Sequence, residues 1–209
     1  TDAFNVTAAS SFNLNGGAGN DTFDISGGGV LTGAVDGEAG SDTLQGDNID
    51  GVLITTLDAN GADGTEDSIS GNFSNFQTLT GNAGTLTGLA TASTWGVDGT
   101  PTYTSGGFSV DFSGFATLQG GTNADAFNVT SASSFNLNGG LGNDTFDIDA
   151  VLTGAIDGEA GADTPQGTEI DTVALSGSDG DGFAGAEAGV TVGFDGIDTP
   201  TGSGTGSRS

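Results

Sequence analysis

The sequence predicts an all-β protein built as a parallel β-solenoid, of the β-helix or β-roll type, with rungs of about 20 residues. A long stretch occurs twice, and within each copy an aspartate followed two positions later by an inward-facing residue recurs every 19 to 21 residues. Apolar and polar residues alternate after each aspartate, which is typical of short strands with one buried face. Such a rung cannot bury its apolar face alone, so rungs must stack at about 4.8 Å with like residues above like. A Greek-key sandwich would also use short strands, but it would not need this spacing.

Two strand types alternate along each copy. The strands of the first type open on aspartates, which are Asp2, Asp21, Asp42, Asp125, Asp144 and Asp163. The apolar residue that follows is Phe or Leu, except that Pro165 stands in the last of these positions. The strands of the second type lie between them and carry Leu14, Val35, Leu137 and Ile156. Glycine and Asn-Asp clusters between the strands supply corners with positive φ.

The repeats divide the chain into segments of one continuous elongated body. Residues 1–84 form a first solenoid repeat unit, 85–123 an irregular partial unit, and 124–209 a second repeat unit. Two acidic, glycine-rich segments, Asp58–Asp67 and Ser176–Glu187, are predicted to be loops that leave the solenoid. The irregular part contains Trp95 and Tyr103, a pair more typical of packing than of a ligand platform.

Charge and composition exclude several function classes. The chain has 28 acidic residues and one basic residue, Arg208, giving a net charge of −27. Nucleic acid and anionic membranes are therefore excluded as partners, and divalent cations are indicated, although acidic surfaces also serve solubility in extreme salt. Cysteine, histidine, methionine and lysine are absent, so disulfides, zinc sites and imidazole or thiol catalysis are excluded. We therefore expect that the protein is not an enzyme. The apolar runs are also too short to insert into a membrane.

The glycine-rich corners carry the most specific motif. Gly16–Asp24 and Gly139–Asp147 both fit Gly-Gly-x-Gly-x-Asp-x-U-x, where U is a large apolar residue. Here the chain resembles the RTX nonapeptide repeat family of secreted calcium-binding β-rolls. The resemblance implies that turn carbonyls and the aspartate bind Ca²⁺ while U packs inside. It assigns the metal to Gly17, Gly19, Asp21, Gly140, Gly142 and Asp144.

The remaining strand-opening aspartates extend this hypothesis on physical grounds. Asp2, Asp42, Asp125 and Asp163 would stack with the motif aspartates along one edge. Two carboxylates about 5 Å apart repel by roughly 3 kcal/mol at an effective dielectric near 20. Calcium accepts 6 to 8 oxygen ligands, and its binding would turn this repulsion between the carboxylates into a net attraction to the ion. The alternative is that these aspartates cap turns through Asx hydrogen bonds and stay solvated.

Spacing separates the chain from a simple β-roll. RTX rolls run nonapeptides back to back, whereas here one motif occurs per rung of about 20 residues, so one edge would bind metal. In composition and repeat spacing, the chain more closely resembles the glycine- and aspartate-rich repeats of large bacterial adhesins and surface-layer-type proteins. This implies an extracellular or cell-surface structural protein, a calcium-stabilised solenoid that assembles end to end into a filament, sheath or surface layer. Its expected partners are copies of itself and divalent cations, with glycans as further candidates.

The termini extend the same expectation. Thr205–Ser209 followed by Thr1–Phe4 approximates Gly121–Phe127, which favours end-to-end continuation. The chain starts without Met, so it is expected to be a processed or excised piece of a longer protein. The alternative function is an excised repeat module of a giant bacterial adhesin that binds a glycan or a protein surface.

Overall fold

A computed structural model describes residues 1–199. Every regular secondary-structure element in this part of the chain is a β-strand. The first half of the strands are β1 (Ala3–Val6), β2 (Leu14–Asn15), β3 (Thr22–Ile25), β4 (Val35–Asp36), β5 (Thr43–Gln45), β6 (Gly51–Asp58), β7 (Gly61–Glu66), β8 (Ile69–Phe76), β9 (Thr78–Thr80), β10 (Thr85–Thr87), β11 (Ser93–Val97) and β12 (Thr102–Ser105). The others are β13 (Phe108–Ser113), β14 (Thr117–Gln119), β15 (Asp125–Val129), β16 (Asn136–Asn138), β17 (Leu141–Gly142), β18 (Thr145–Ile148), β19 (Ile156–Asp157), β20 (Ala160–Gly161), β21 (Thr164–Gln166), β22 (Ala174–Ser178), β23 (Phe183–Glu187) and β24 (Val190–Ile197). The all-β prediction is confirmed, and most strand pairs are parallel.

The chain forms two compact units that interleave in sequence. The first unit comprises Thr1–Leu89 and Thr102–Ala116, and the second comprises Ala90–Pro101 and the chain from Thr117 onward. A short segment of each unit therefore lies within the sequence range of the other.

The first unit contains two sheets. One has the strand order β1-β3-β5-β9-β13-β12, in which only β13 and β12 pair in antiparallel fashion. The other has the order β2-β4-β8-β7-β6-β10, in which β8, β7 and β6 form an antiparallel meander between parallel neighbours. We call β6–β8 the first meander.

The second unit repeats this plan. Its strands β11, β15, β18 and β21 pair in parallel in that order. In its other sheet, β14, β16, β19 and β24 pair in parallel, and β24, β23 and β22 form an antiparallel second meander. A small parallel pair, β17 and β20, completes the unit.

Inward-facing residues stack in register, as the repeat spacing predicts. In the first unit, Phe4 lies opposite Phe23, Phe23 opposite Leu44, and Leu44 opposite Leu79. In the second unit the column is Trp95, Phe127, Phe146 and Pro165. The rings of Trp95 and Phe127 stack with centroids 5.7 Å apart, and those of Phe127 and Phe146 with centroids 5.0 Å apart. Stacked aromatic residues thus form part of the core, and Pro165 occupies an inward position although it interrupts the apolar series.

The two predicted loops are wrong, because both segments belong to the antiparallel meanders. The segment Asp58–Asp67 contains β7, and Ser176–Glu187 contains β23. Glycine makes these strands possible, since a Cβ on Gly64 would lie 2.5 Å from Phe73 Cζ, and one on Gly185 would lie 2.5 Å from Phe194 Cζ. Each glycine leaves room for an aromatic ring from the neighbouring strand, a role that glycine plays in strand interiors.

Candidate functional site

Each glycine-rich corner is shaped by backbone that only glycine adopts easily. Gly17 and Gly140 have φ of 87° and 96°, and Gly19 and Gly142 have φ of 126° and 138°. These values lie in the left-handed region, where a Cβ is strained. The corner then delivers the following aspartate to the start of an inward strand.

In the first unit, the strand-opening aspartates form a ladder of backbone-to-carboxylate hydrogen bonds. The backbone N–H of Asp2 donates to Asp21 Oδ1 at 2.5 Å, and the N–H of Asp21 donates to Asp42 Oδ1 at 2.7 Å. The N–H of Asp42 donates to Gln77 Oε1 at 2.5 Å, so a glutamine ends this series. Each acceptor in this series lies later in the sequence than its donor.

The second unit contains an equivalent ladder. The N–H of Ser93 donates to Asp125 Oδ1 at 2.9 Å, and the N–H groups of Asp125 and Asp144 donate to the next Oδ1 atoms at 2.7 Å. The N–H of Asp163 donates to Asp198 Oδ2 at 3.1 Å. We call the two series together the aspartate ladder.

The carboxylates of the ladder are buried rather than solvated. Asp21, Asp42, Asp125, Asp144 and Asp163 are all at most 2 % exposed, whereas Asp2 is exposed. The predicted alternative, in which these aspartates stay solvated, is therefore wrong for the five buried ones. The backbone N–H groups that donate to Oδ1 replace, at that oxygen, the water that burial removes.

The second oxygen of most ladder carboxylates has no hydrogen-bond donor. Oδ2 of Asp21, Asp42, Asp144 and Asp163 is buried without a partner, whereas Oδ2 of Asp125 accepts the N–H of Gly121 at 2.8 Å. A protonated carboxyl needs less solvation than a carboxylate, so such an environment favours the proton.

Burial accordingly raises the pKa of four ladder carboxyl groups, those of Asp42, Asp125, Asp144 and Asp163. It raises the pKa of Asp144 to about 7, with further contributions from the nearby charges of Asp163, Asp125 and Glu159. Burial also raises the pKa of Asp163 to about 6. The pKa values of Asp42 and Asp125 are raised for the same reason. The backbone hydrogen bonds oppose each shift without cancelling it.

Glycine is required where the ladder passes each corner. A Cβ on Gly16 would lie 2.6 Å from the carbonyl oxygen of Gly37 and 2.7 Å from Asp21 Oδ2. A Cβ on Gly158 would lie 2.8 Å from Asp163 Oδ2, in the same arrangement. The space over these glycines is bounded by a buried carboxyl oxygen and a backbone carbonyl of the next rung.

The structure brings the predicted metal ligands together within each unit, but as a column and not as a cage. Calcium requires 6 to 8 oxygen ligands around one point. Within residues 1–199, no three acidic side chains converge in a way that could hold a metal ion. The Oδ1 atom of each buried ladder aspartate is engaged by an N–H donor, so Oδ2 is the carboxylate oxygen that a cation would contact. Calcium binding by the chain stays a prediction.

Three ladder residues lack the motif that identifies the others. Gln77 and Asp198 accept at the ends of the two series, and Ser93 donates at the start of the second. Gln77 and Asp198 each precede a threonine, as Asp42 does, and this shared Asp/Gln-Thr pair is the sequence signal that could have identified them. Ser93 carries no comparable signal.

Comparisons of the chain with protein-family models, with curated proteins and with solved structures give no match. Across residues 1–199, no helix has the length and apolarity needed to cross a membrane.

Proposed function

We propose that the chain is an extracellular structural module, a β-solenoid that extends by stacking further rungs and so builds a filament, sheath or surface layer. The in-register columns of like residues support a solenoid, because each rung buries its apolar face only against its neighbours. A net charge of −27 with one basic residue supports a role that involves neither nucleic acid nor an anionic membrane.

The observation that carries the proposal is the free edge of β1. Among the described residues β1 is the last strand of its sheet, and it pairs with β3 alone. The N–H groups of Thr22 and Ser26 donate to the carbonyls of Asp2 and Val6 at 3.0 Å. Because backbone groups alternate in direction along a strand, those of Ala3 and Asn5 face away from β3. Such an edge is a template for another strand.

Asp2 makes this edge specific. Its counterparts Asp21 and Asp42 each accept the N–H of the preceding rung, whereas the carboxylate of Asp2 is exposed. A further rung that stacks on β1 would place a backbone N–H opposite this carboxylate and so extend the aspartate ladder. The proposed rung comes from a second copy of the chain.

Assembly is tested by light scattering and negative-stain microscopy across a concentration series. We expect the unmodified chain to form larger particles as its concentration rises. Asn5→Pro should abolish this assembly, because proline removes an outward N–H and its ring blocks an approaching strand. Asn5→Ala, which keeps the N–H of this exposed residue, is the matched control. A chain that stays monomeric at every concentration would refute the proposal and favour an adhesin module.

Calcium is tested on the same samples, with a thermal melt added to light scattering. If Ca²⁺ stabilises the chain, adding a chelator in low salt lowers the melting temperature and the particle size. If the aspartate ladder is stabilised by its backbone donors alone, the chelator changes neither.

A further inference from the structure

The second meander presents an apolar face and a strand edge that nothing in residues 1–199 covers. Leu175 on β22 is 54 % exposed and Phe183 on β23 is 40 % exposed. Every residue of β22 is exposed, and β22 is the last strand of its sheet. A free edge beside exposed apolar side chains is typical of a surface that binds another strand.

The first meander is built in the same register and shows how such a surface is completed. Ile54 pairs with Gly64, which pairs with Phe73. In the second meander Leu175 pairs with Gly185, and Gly185 pairs with Phe194. Leu175 is thus the counterpart of Ile54, which is only 1 % exposed.

The remaining positions follow the same correspondence. Ala62 pairs with Leu57 in the first meander, and Phe183 pairs with Ser178 in the second. Ala62 is completely buried, whereas its larger counterpart Phe183 is not. The same face is therefore covered in the first unit and open in the second.

Two strands cover the first meander. β10 pairs in parallel with the outer edge of β6, with Leu86 opposite Val52. β13 lies against both β6 and β7. The side chains of Leu86, Val110 and Phe112 on these covering strands are all buried. Both strands come from one segment, residues 82–116, in which a leucine flanked by threonines is followed by an apolar hairpin.

We propose that the second meander is a docking site for an extended segment with the chemistry of residues 82–116. Its Thr-Leu-Thr strand pairs in parallel with the edge of β22 at Thr172–Ala174, and its apolar hairpin covers Leu175 and Phe183. The occupant carries little negative charge, like residues 82–116, because a strongly acidic segment would be repelled by the net charge of −27 on the chain. This site is separate from the β1 edge and does not depend on assembly there.

A synthetic peptide with the sequence of residues 82–116 is the probe. It is mixed with the full chain carrying Asn5→Pro, so that assembly through β1 does not contribute. Hydrogen–deuterium exchange is followed by mass spectrometry over residues 172–178. We expect saturating peptide to slow exchange in this segment by about tenfold or more, since an edge amide gains a partner.

Two variants define the face. Leu175→Asp should remove the protection, because it places a charge in the apolar contact. Ala174→Asp adds the same charge to the same strand on the opposite face and should retain most of it.

Other outcomes overturn the proposal. Unchanged exchange at saturating peptide would show that the segment does not bind. Protection in the chain alone that rises with its concentration would assign the site to a second copy. Protection in the chain alone at every concentration would assign it to the chain's own residues beyond 199. None of these results bears on assembly through β1.

Discussion

Asp144 provides the sharpest test of the aspartate ladder. Its Oδ1 accepts the N–H of Asp125, and its buried Oδ2 has no donor. Burial raises its pKa from 3.8 to about 7. Because the folded-state pKa is raised, the stability that the protonated carboxyl contributes is fully present below about pH 3.8. It is lost progressively as the pH rises to about 7.

The size of the effect follows from the shift. A pKa difference of one corresponds to about 1.4 kcal/mol. The rise in the pKa of Asp144 from 3.8 to about 7 can therefore change the free energy of unfolding by at most about 4 kcal/mol. Asp144→Asn keeps the acceptor for the N–H of Asp125 and removes the charge. The new amide N–H groups have the carbonyl oxygen of Gly158 nearby, since that oxygen and Asp144 Oδ2 both border the space over Gly139. We expect Asp144→Asn to raise the free energy of unfolding by about 2 kcal/mol at pH 8. This is roughly half of the maximum, because burial of the amide also costs desolvation.

The assay is urea unfolding from pH 3.5 to 8, followed by the fluorescence of Trp95, which is buried in the core. For the unmodified chain, the free energy of unfolding should fall as the pH rises from about 4 to 7. Asp144→Asn should flatten this slope and give no gain at pH 3.5. Asp171→Asn removes one negative charge from an exposed position and controls for net charge. An unchanged slope, or a lower free energy of unfolding at pH 8, would refute the raised pKa of Asp144.

Two further substitutions test the corner and the core. Gly139→Ala would place a Cβ 2.7 Å from the carbonyl oxygen of Gly158, and we expect a loss of about 2–4 kcal/mol in the free energy of unfolding. Gly177→Ala, where a Cβ meets nothing within 4 Å, should cost less than about 1 kcal/mol; equal losses would contradict the requirement for glycine at the corner. Phe127→Ala removes the middle ring of a stacked column and should cost about 3–5 kcal/mol by urea unfolding. Phe12→Ala, at a residue that is 72 % exposed, should cost under about 0.5 kcal/mol, and a comparable loss at both sites would disprove the assigned core.

The stacked strands could be predicted because their signal is periodic. An aspartate, an outward residue and an apolar residue recur at a fixed spacing, and the structure pairs Phe23 with Phe4 and Phe146 with Phe127 in that register. Periodicity reports which residues share a face, because the side chains of a strand alternate with period two.

The meanders could not be predicted from the same signal. The segments that contain β7 and β23, Asp58–Asp67 and Ser176–Glu187, are rich in glycine and acidic residues, a composition typical of loops. Their stability comes from phenylalanine rings on neighbouring strands that pack over Gly64 and Gly185, and such contacts between strands leave no local pattern.

The role of the aspartates was likewise beyond the sequence. Their spacing predicted a column of carboxylates, and the structure contains one. Which group neutralises or solvates each carboxylate depends on the direction of nearby N–H groups, a property of the folded backbone. A glycine-rich motif with an aspartate is compatible both with a bound cation and with a backbone N–H donor, so the residue types alone do not distinguish the two.

The aspartate ladder also has a direction. In every step the side-chain oxygen of the later residue accepts the N–H of the earlier residue, and never the reverse. Among the described residues, the first series begins at Asp2 with an exposed acceptor and ends at Gln77, whose own N–H donates to the carbonyl oxygen of Asp42. Two identical ends cannot satisfy each other through this ladder, so contacts made through it are heterologous and do not close into a twofold dimer. If copies assemble through β1 as proposed, growth by this route would be polar, with all copies pointing the same way and with different addition rates at the two ends.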